Sequence, residues 1–369
     1  MRFWSSMDPE LAKQLFVEGA TLIFLDVPVE TEFGIDLKSW ETGEKFKGVK
    51  MIPPGIHFIF YSARNSHGDV APRRGFIHHF KKSEILGIKW DSSLEDISYD
   101  NLSSEEMQRF RDNLMYLDQF LGPYPFDVWD KWKRLTMHLN VNKLMPACGR
   151  ISSAAELVPD SRDLKGRSKR RWSRPRTEEE KQEDLLPQLK PKEGTELRFT
   201  EPPEESYPAG STPAEITKHN LDTSYAFERM ISQPLNFVGE IQFAFVCFLV
   251  GLNYEAFEHW KSMIQLVCRC ETAIFKRPAV FSEFVSTVEA QLDEVPEDFL
   301  VDVVTSNNVI YCSLRDLFTT LQLTDLEIEG RLRCKISRLK EKLTAKFEWD
   351  FDNLDEECEE DAPVIVYTE

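Results

Sequence analysis

The sequence predicts a multidomain α+β chain: a β-rich N-terminal domain with appended helices, then an all-α C-terminal domain. Three observations carry this. Apolar residues alternate with a period of two, between turn residues, as far as the run ILGIKWD at 85–91. From residue 103 the period changes to 3.6, and it returns after residue 212. Between these stretches, about 160 to 192, basic and acidic blocks replace periodic apolar residues, which is the composition of a linker. The resulting division is 7–150, β-rich with C-terminal helices; 151–192, a flexible charged linker; 193–350, all-helical; and 351–369, an acidic tail ending in a strand.

The elements follow in order. Residues 7 to 17 suggest a short helix, with Met7 an alternative start and no apolar leader before it. ATLIFLDVP is a strand ending at Pro28, and TEFGIDLKSW is another. FKGVKMIPPGIHFIFYSA supplies further strands about the turn Pro53-Pro54-Gly55. RRGFIHHF and ILGIKWD read as two strands around the polar turn KKSE, and short connections make the region mostly antiparallel. Ser103 and Glu106 fit a capping box, and Met107, Phe110, Leu114, Leu117 and Leu121 share one face of the helix it opens. Gly122-Pro123 is a stop signal, after which Trp129, Trp132, Leu135 and Leu139 mark a second helix.

The all-α part opens on Thr212, Pro213 and Glu215, an N-cap, a first-turn proline and the reciprocal cap acid. IQFAFVCFLVGL, 241–252, is apolar all round but far short of the roughly 20 residues that span a bilayer, so it reads as a buried helix. Amphipathic helices follow through Tyr254–Val267 and Val280–Leu292, then PEDFLVDVVTS and LRDLFTTL, and a long last helix from Ile328 to Phe347. No fixed period marks a solenoid.

Composition narrows the function. The 369 residues are 41% apolar and 29% charged, enough to build a core in each of two domains. The net charge of −18 disfavours sequence-independent binding to nucleic acid, because phosphates repel it. Seven cysteines at irregular spacing (Cys148, Cys247, Cys268, Cys270, Cys312, Cys334, Cys358) read as reduced thiols of a cytosolic or nuclear protein. Cys268-x-Cys270 is too tight for a zinc site.

No phosphate loop, nucleophile elbow or zinc-protease pair occurs. His78 and His79 sit in a strand, so their rings face opposite ways and cannot chelate one metal. Asp26 and Asp36 could form an acid/base pair, but acids at strand ends are ordinary turn chemistry. The reading is therefore no enzyme, no cofactor and no metal. Lys169, Arg170, Arg171, Arg174 and Arg176 form a basic run read as a localisation segment or partner contact, and phosphorylation of Ser168 or Ser173 would change its charge. YEAFEHWK, 254–261, is similar to one helix of a tetratricopeptide pair, but its aromatics suit a core equally well.

The segments MDPELAK, ETEFGID, PPGIHF, LDQFLGPYP, TPAEITKH, GEIQFAFVCFLVG, YEAFEHWK, KFEWDF and DAPVIV together resemble the AAR-two splicing-factor family, over residues 7–150 and from about 190 to the end. The resemblance implies a helical domain of VHS-like character and no catalysis. It implies a U5 small nuclear ribonucleoprotein (U5 snRNP) assembly factor in pre-mRNA splicing. Such a factor binds the particle's large central scaffold protein at its RNase H-like and MPN-type domains. It blocks premature binding of the particle's helicase until a release step linked to phosphorylation. Expected with it are cytoplasmic and nuclear localisation, a free monomer, no sequence-specific nucleic acid and no membrane. The alternatives are a general VHS-like helical adaptor, including one in membrane trafficking, and a hydrolase whose acids the sequence does not assemble. Val364, Ile365, Val366 and Tyr367, strand formers after an acidic run and Pro363, are read as a strand whose sheet belongs to the partner. The competing reading docks them on the chain's own first sheet.

Overall fold

The computed structural model describes residues 9–64, 69–98, 102–159, 189–231, 233–297, 308–323 and 330–351. The fold class is the one expected: a β-rich N-terminal part and helices from residue 213 onward. Two compact units emerge. The first takes Met1–Phe126, Met145–Arg198 and Val250–Asn253; the second takes Asp127–Leu144, Phe199–Leu249 and Tyr254–Glu369. This differs from the division read along the chain. The helix carrying Trp132, expected with the β-domain, belongs to the helical unit. Residues 151–159 and 189–192, expected in the linker, belong to the β-unit and contribute strands at Ile151–Ser152, Leu157–Pro159 and Leu189–Pro191.

The first unit starts with α1 (Pro9–Glu18), and then β1 (Ala20–Leu25), β2 (Glu32–Ile35), β3 (Lys38–Glu41), β4 (Gly48–Ile52), β5 (Gly55–Ser62), β6 (Arg74–Phe80), β7 (Ile85–Asp91) and β8 (Asp96–Ile97). After α2 (Ser104–Asp112) and α3 (Leu114–Leu117) come β9 (Leu121–Pro123), β10 (Ile151–Ser152), β11 (Leu157–Pro159) and β12 (Leu189–Pro191). One sheet runs β8-β7-β1-β4-β9 and another β10-β6-β5-β2-β3, while β11 and β12 pair separately. Most pairs are antiparallel, but β1–β7 and β4–β9 are parallel. The apolar run of β1 is buried along almost its whole length, as a strand covered on both faces requires. Phe24 of β1 meets Phe33 of β2 and Tyr61 of β5, at ring-centroid distances of 5.9 and 6.2 Å, so the two sheets share one aromatic core. Each such side chain, fully buried, contributes about 1.5–3 kcal/mol.

Three local expectations change here. TEFGIDLKSW is two strands, not one, because Asp36 takes a positive φ of 55° and turns the chain between β2 and β3. RRGFIHHF and ILGIKWD are not a hairpin: β6 pairs with β5, β7 pairs with β1, and KKSE crosses between sheets. The helix from Ser103 does not reach Leu121. Its capping box forms, with Glu106 N–H donating to Ser103 Oγ at 3.2 Å. It then breaks at Asn113, and Leu121 lies in β9 beside Gly48. Gly48 has φ 135°, and a Cβ there would sit 1.9 Å from the Leu22 carbonyl oxygen, so β4 can approach β1 this closely only with glycine.

The second unit contains α4 (Trp129–Thr136), α5 (Val141–Leu144), α6 (Pro213–Leu221), α7 (Ser224–Met230), α8 (Pro234–Leu249), α9 (Tyr254–Cys268), α10 (Ala273–Lys276), α11 (Pro278–Glu294), α12 (Val309–Leu323) and α13 (Gly330–Phe347). The Thr212–Glu215 capping box forms as read. PEDFLVDVVTS lies mostly outside the described residues. Helix α8 is buried from Phe237 to Cys247, which fits its all-round apolar sequence. Trp132 and Leu135 on α4 are each 1% exposed and pack toward α8 and α11, which is why this helix joins the second unit. At that contact the chain after α4 runs against Gly239 of α8. A Cβ there would lie 2.1 Å from the His138 carbonyl oxygen. Alanine is the better helix former, so any loss of stability in Gly239→Ala reports this clash. The expected cost is about 1–3 kcal/mol, read as a lower urea midpoint with the slope unchanged. A midpoint equal to that of the parent would show that the chain after α4 yields freely.

Candidate protein-interaction site

The constellation that most resembles an active site is sealed. Asp36 and His57 are fully buried and Tyr124 is 4% exposed. His57 Nδ1 lies 2.7 Å from Asp36 Oδ2, and Nε2 lies 2.7 Å from the Pro53 carbonyl oxygen. Tyr124 donates to Asp36 Oδ2 at 2.6 Å, and the Phe58 N–H donates to Oδ1 at 3.0 Å. The members come from separate parts of the chain: Asp36 from the β2–β3 turn, Pro53 from the turn before β5, His57 and Phe58 from β5, and Tyr124 from the segment after β9. The cluster therefore supplies hydrogen bonds to buried polar groups and ties those parts together. Asp26 is elsewhere in kind: its carboxylate is exposed, 3.6 Å from Lys89. Among the described residues the two acids share no partner.

A second buried acid organises the chain around the charged stretch. Asp96, 2% exposed, accepts from Arg74 Nη1 at 2.6 Å, Arg150 Nη1 at 2.5 Å, its neighbour's amide and the Tyr61 hydroxyl. Burial, and then the Asp96 charge, push the Tyr61 phenol well above its usual range. Arg74 also reaches Glu156 at 3.0 Å, and Glu156 holds Lys192 at 2.9 Å. With β10 on β6 and β11 on β12, both ends of the stretch are tied to the first unit. Sequence reasoning missed this network, because its members are spread from residue 61 to 192.

The C-terminal tail also starts from a fixed root. Lys346 on α13 donates to the carbonyl oxygens of Leu292, Asp293 and Val295 at 2.8, 2.9 and 2.8 Å, satisfying acceptors left open at the end of α11. Beyond α13 the chain turns at Glu348, φ 55°, and folds back on α12. Trp349 stacks on Phe347 at 4.7 Å, and Phe351, fully buried, packs on Tyr311 and Phe318 at 5.2 and 4.9 Å. The Tyr311 hydroxyl donates to the Asp350 carbonyl at 2.6 Å. The acidic run therefore leaves from a rigid aromatic knot.

Val364, Ile365, Val366 and Tyr367 lie outside the described residues. So do Lys169, Arg170, Arg171, Arg174, Arg176, Ser168 and Ser173. His78 is half-buried, 2.9 Å from Glu84, while its neighbour His79 is exposed. Cys268 and Cys270 are buried thiols; burial pushes Cys270 up to about 12, so neither is a ready thiolate. Among the described residues no helix is long and apolar enough to cross a membrane.

Two family profiles match this chain: the AAR2 N-terminal domain over residues 18–148, and the AAR2 C-terminal repeat region over 199–352. The second description names repeats, although the sequence carries no fixed period. The chain is 43% identical over 375 residues to a mouse protein called Protein AAR2 homolog, covering 98% of this chain and 96% of that one. The human protein of the same name is 42% identical with the same coverage. The yeast A1 cistron-splicing factor AAR2 is 25% identical over 366 residues, covering 94% and 97%.

Proposed function

Because the chain belongs to the AAR2 (AAR-two) family over nearly its whole length, we propose that it is a splicing-related assembly factor working by protein contact and not by catalysis. The observation that carries this reading is the match of both domains, in order, to relatives that include a named splicing factor. In its finer form, the protein binds the large scaffold protein of the U5 snRNP at its RNase H-like and MPN-type domains. It keeps the particle's helicase off until release. The free protein is a monomer found in cytoplasm and nucleus. Two features support contact over chemistry: the Asp36–His57–Tyr124 cluster is closed to substrate, and the tail leaves from a rigid root.

Affinity purification of the tagged full-length chain, followed by mass spectrometry, tests this. The U5 scaffold protein is expected as the leading partner. Recovery of vesicle-coat proteins in its place would favour the general helical adaptor.

A further inference from the structure

Helices α4, α11 and α13 of the second unit border an open cleft of about 400 Å³. Its charges do not balance. Lys342 sits between Asp293, at 2.7 Å, and Glu289, at 3.1 Å. Arg134 shares Asp293 at 3.4 Å, and Arg338 shares Glu289 at 3.3 Å. Three cations thus divide two carboxylates. Asp293 and Glu289, whose hydrogen bonds outweigh the desolvation that burial imposes, hold Lys342 above the usual lysine range, so that ammonium stays charged. Lys335 adds a further cation. Its ammonium is held by Ser282 Oγ at 2.7 Å, Ser286 Oγ at 2.9 Å and the Ser282 carbonyl at 3.3 Å, and by no carboxylate among the described residues. Glu283 adds a third carboxylate to the cleft, with the His138 ring 3.1 Å away.

The cleft therefore sets four cations, Arg134, Arg338, Lys342 and Lys335, against three carboxylates, Asp293, Glu289 and Glu283, an excess of about one positive charge in a chain of net charge −18. The two arginines are the loosely held members. Their ion pairs are longer than the roughly 2.7–2.9 Å of a good charge-assisted bond, and their side chains are 47% and 75% exposed. Both are free to turn toward a ligand at little cost. Guanidinium groups favour planar, bidentate contact with phosphate. A phosphate monoester brings about −1.5 to −2 charges and three acceptor oxygens, enough to engage both arginines and Lys335 at once.

We propose that this cleft binds a phosphate monoester, carried on a phosphorylated serine or threonine of an extended partner peptide. Arg134 on α4 and Arg338 on α13 grip the phosphate, and Lys335, also on α13, neutralises it. A peptide is favoured over a free anion because the cleft is far larger than one phosphate group and open at its mouth. This inference stands apart from the identity of the assembly partner.

The test is calorimetric titration of the full-length chain at low salt. The probes are a short Gly/Ala peptide bearing one phosphoserine, the same peptide with serine or glutamate, and inorganic phosphate. The phosphopeptide should bind about tenfold or more tighter than each of the others. Arg134→Ala combined with Arg338→Ala should remove that advantage while leaving the thermal midpoint near the parent's, since both side chains are exposed. Lys335→Gln, which keeps hydrogen bonding to the serines, should weaken the phosphopeptide several-fold. The proposal fails if the phosphopeptide does not bind, or if the arginine variant binds it as well as the parent does. Equal affinity for the glutamate peptide would make the cleft a general acidic-segment site, one that the chain's own acidic run could fill. Equal affinity for inorganic phosphate would make it a free-anion site. Either result overturns the assignment.

Discussion

Asp96→Ala should cost the first unit about 3–5 kcal/mol, the penalty for breaking a buried ion pair from one side. The carboxylate is 2% exposed and is the common acceptor for two guanidinium groups and a phenol. Without it, two guanidinium groups lose the carboxylate they share; Arg74 keeps Glu156, and Arg150 keeps the Ile97 and Ser98 carbonyls. The loss should be graded. Asp96→Asn keeps the volume but not the charge, and should fall between alanine and the parent. Tyr61→Phe removes one donor and should cost no more than about 1.5 kcal/mol. Hydrogen exchange at the β6 and β10 amides is the suitable measurement, because it reports this unit separately from the helical one. Those amides should lose protection in Asp96→Ala while α8 and α11 keep theirs. Unchanged exchange in β10 would mean that strand pairing alone anchors residues 150–159.

What the sequence disclosed and what it withheld follow from the range of the forces involved. Caps are local, and both capping boxes, Ser103 with Glu106 and Thr212 with Glu215, form as read. An all-round apolar run has one outcome in a protein of this length, and α8 is buried accordingly. The strands β6 and β7 show the opposite case. Each alternates correctly, but alternation says only that one face is buried, not which strand lies alongside. The turn KKSE looks like a hairpin whether or not its flanks pair. Likewise, the apolar spacing from Met107 to Leu121 suits a helix throughout, yet Leu121 gains a β-ladder with β4 that its spacing cannot foretell. The Asp96 network and the unbalanced cleft join residues up to about two hundred positions apart, and no single window of the sequence contains either. Asp26 and Asp36 look alike in the sequence, each an acid at a strand end. Only the fold distinguishes the exposed one from the one enclosed by His57 and Tyr124.

Removing residues 362–369 should weaken binding to the scaffold protein about a hundredfold while leaving the stability of the isolated chain nearly unchanged. The argument starts from the tail's root. Phe351 is locked among Tyr311, Phe318 and Trp349, so deletion beyond it takes nothing from the described core. Past that root come Asp352, Asp355, Glu356, Glu357, Glu359, Glu360 and Asp361, then Pro363 and the strand formers Val364 to Tyr367. An acidic tether of this kind speeds approach to a basic partner and makes the association rate sensitive to salt. Pro363 cannot donate to a β-ladder, so pairing would start after it. Four residues added to a sheet edge make about four main-chain hydrogen bonds, each worth about 0.5–1.5 kcal/mol net, and about 3 kcal/mol in total is a hundredfold in Kd. In a strand so paired Val364 and Val366 would face one way and Ile365 and Tyr367 the other, so two faces of the partner's sheet would be read at once. The loss should fall mainly on the MPN-type domain. Substituting Val364 and Val366 with aspartate should reproduce much of it without shortening the chain, whereas replacing Asp355 to Glu360 with serine should slow association and spare the dissociation rate. If the truncated protein instead melts at lower temperature and binds the scaffold as tightly as before, the strand completes this chain's own sheet and the partner docks elsewhere.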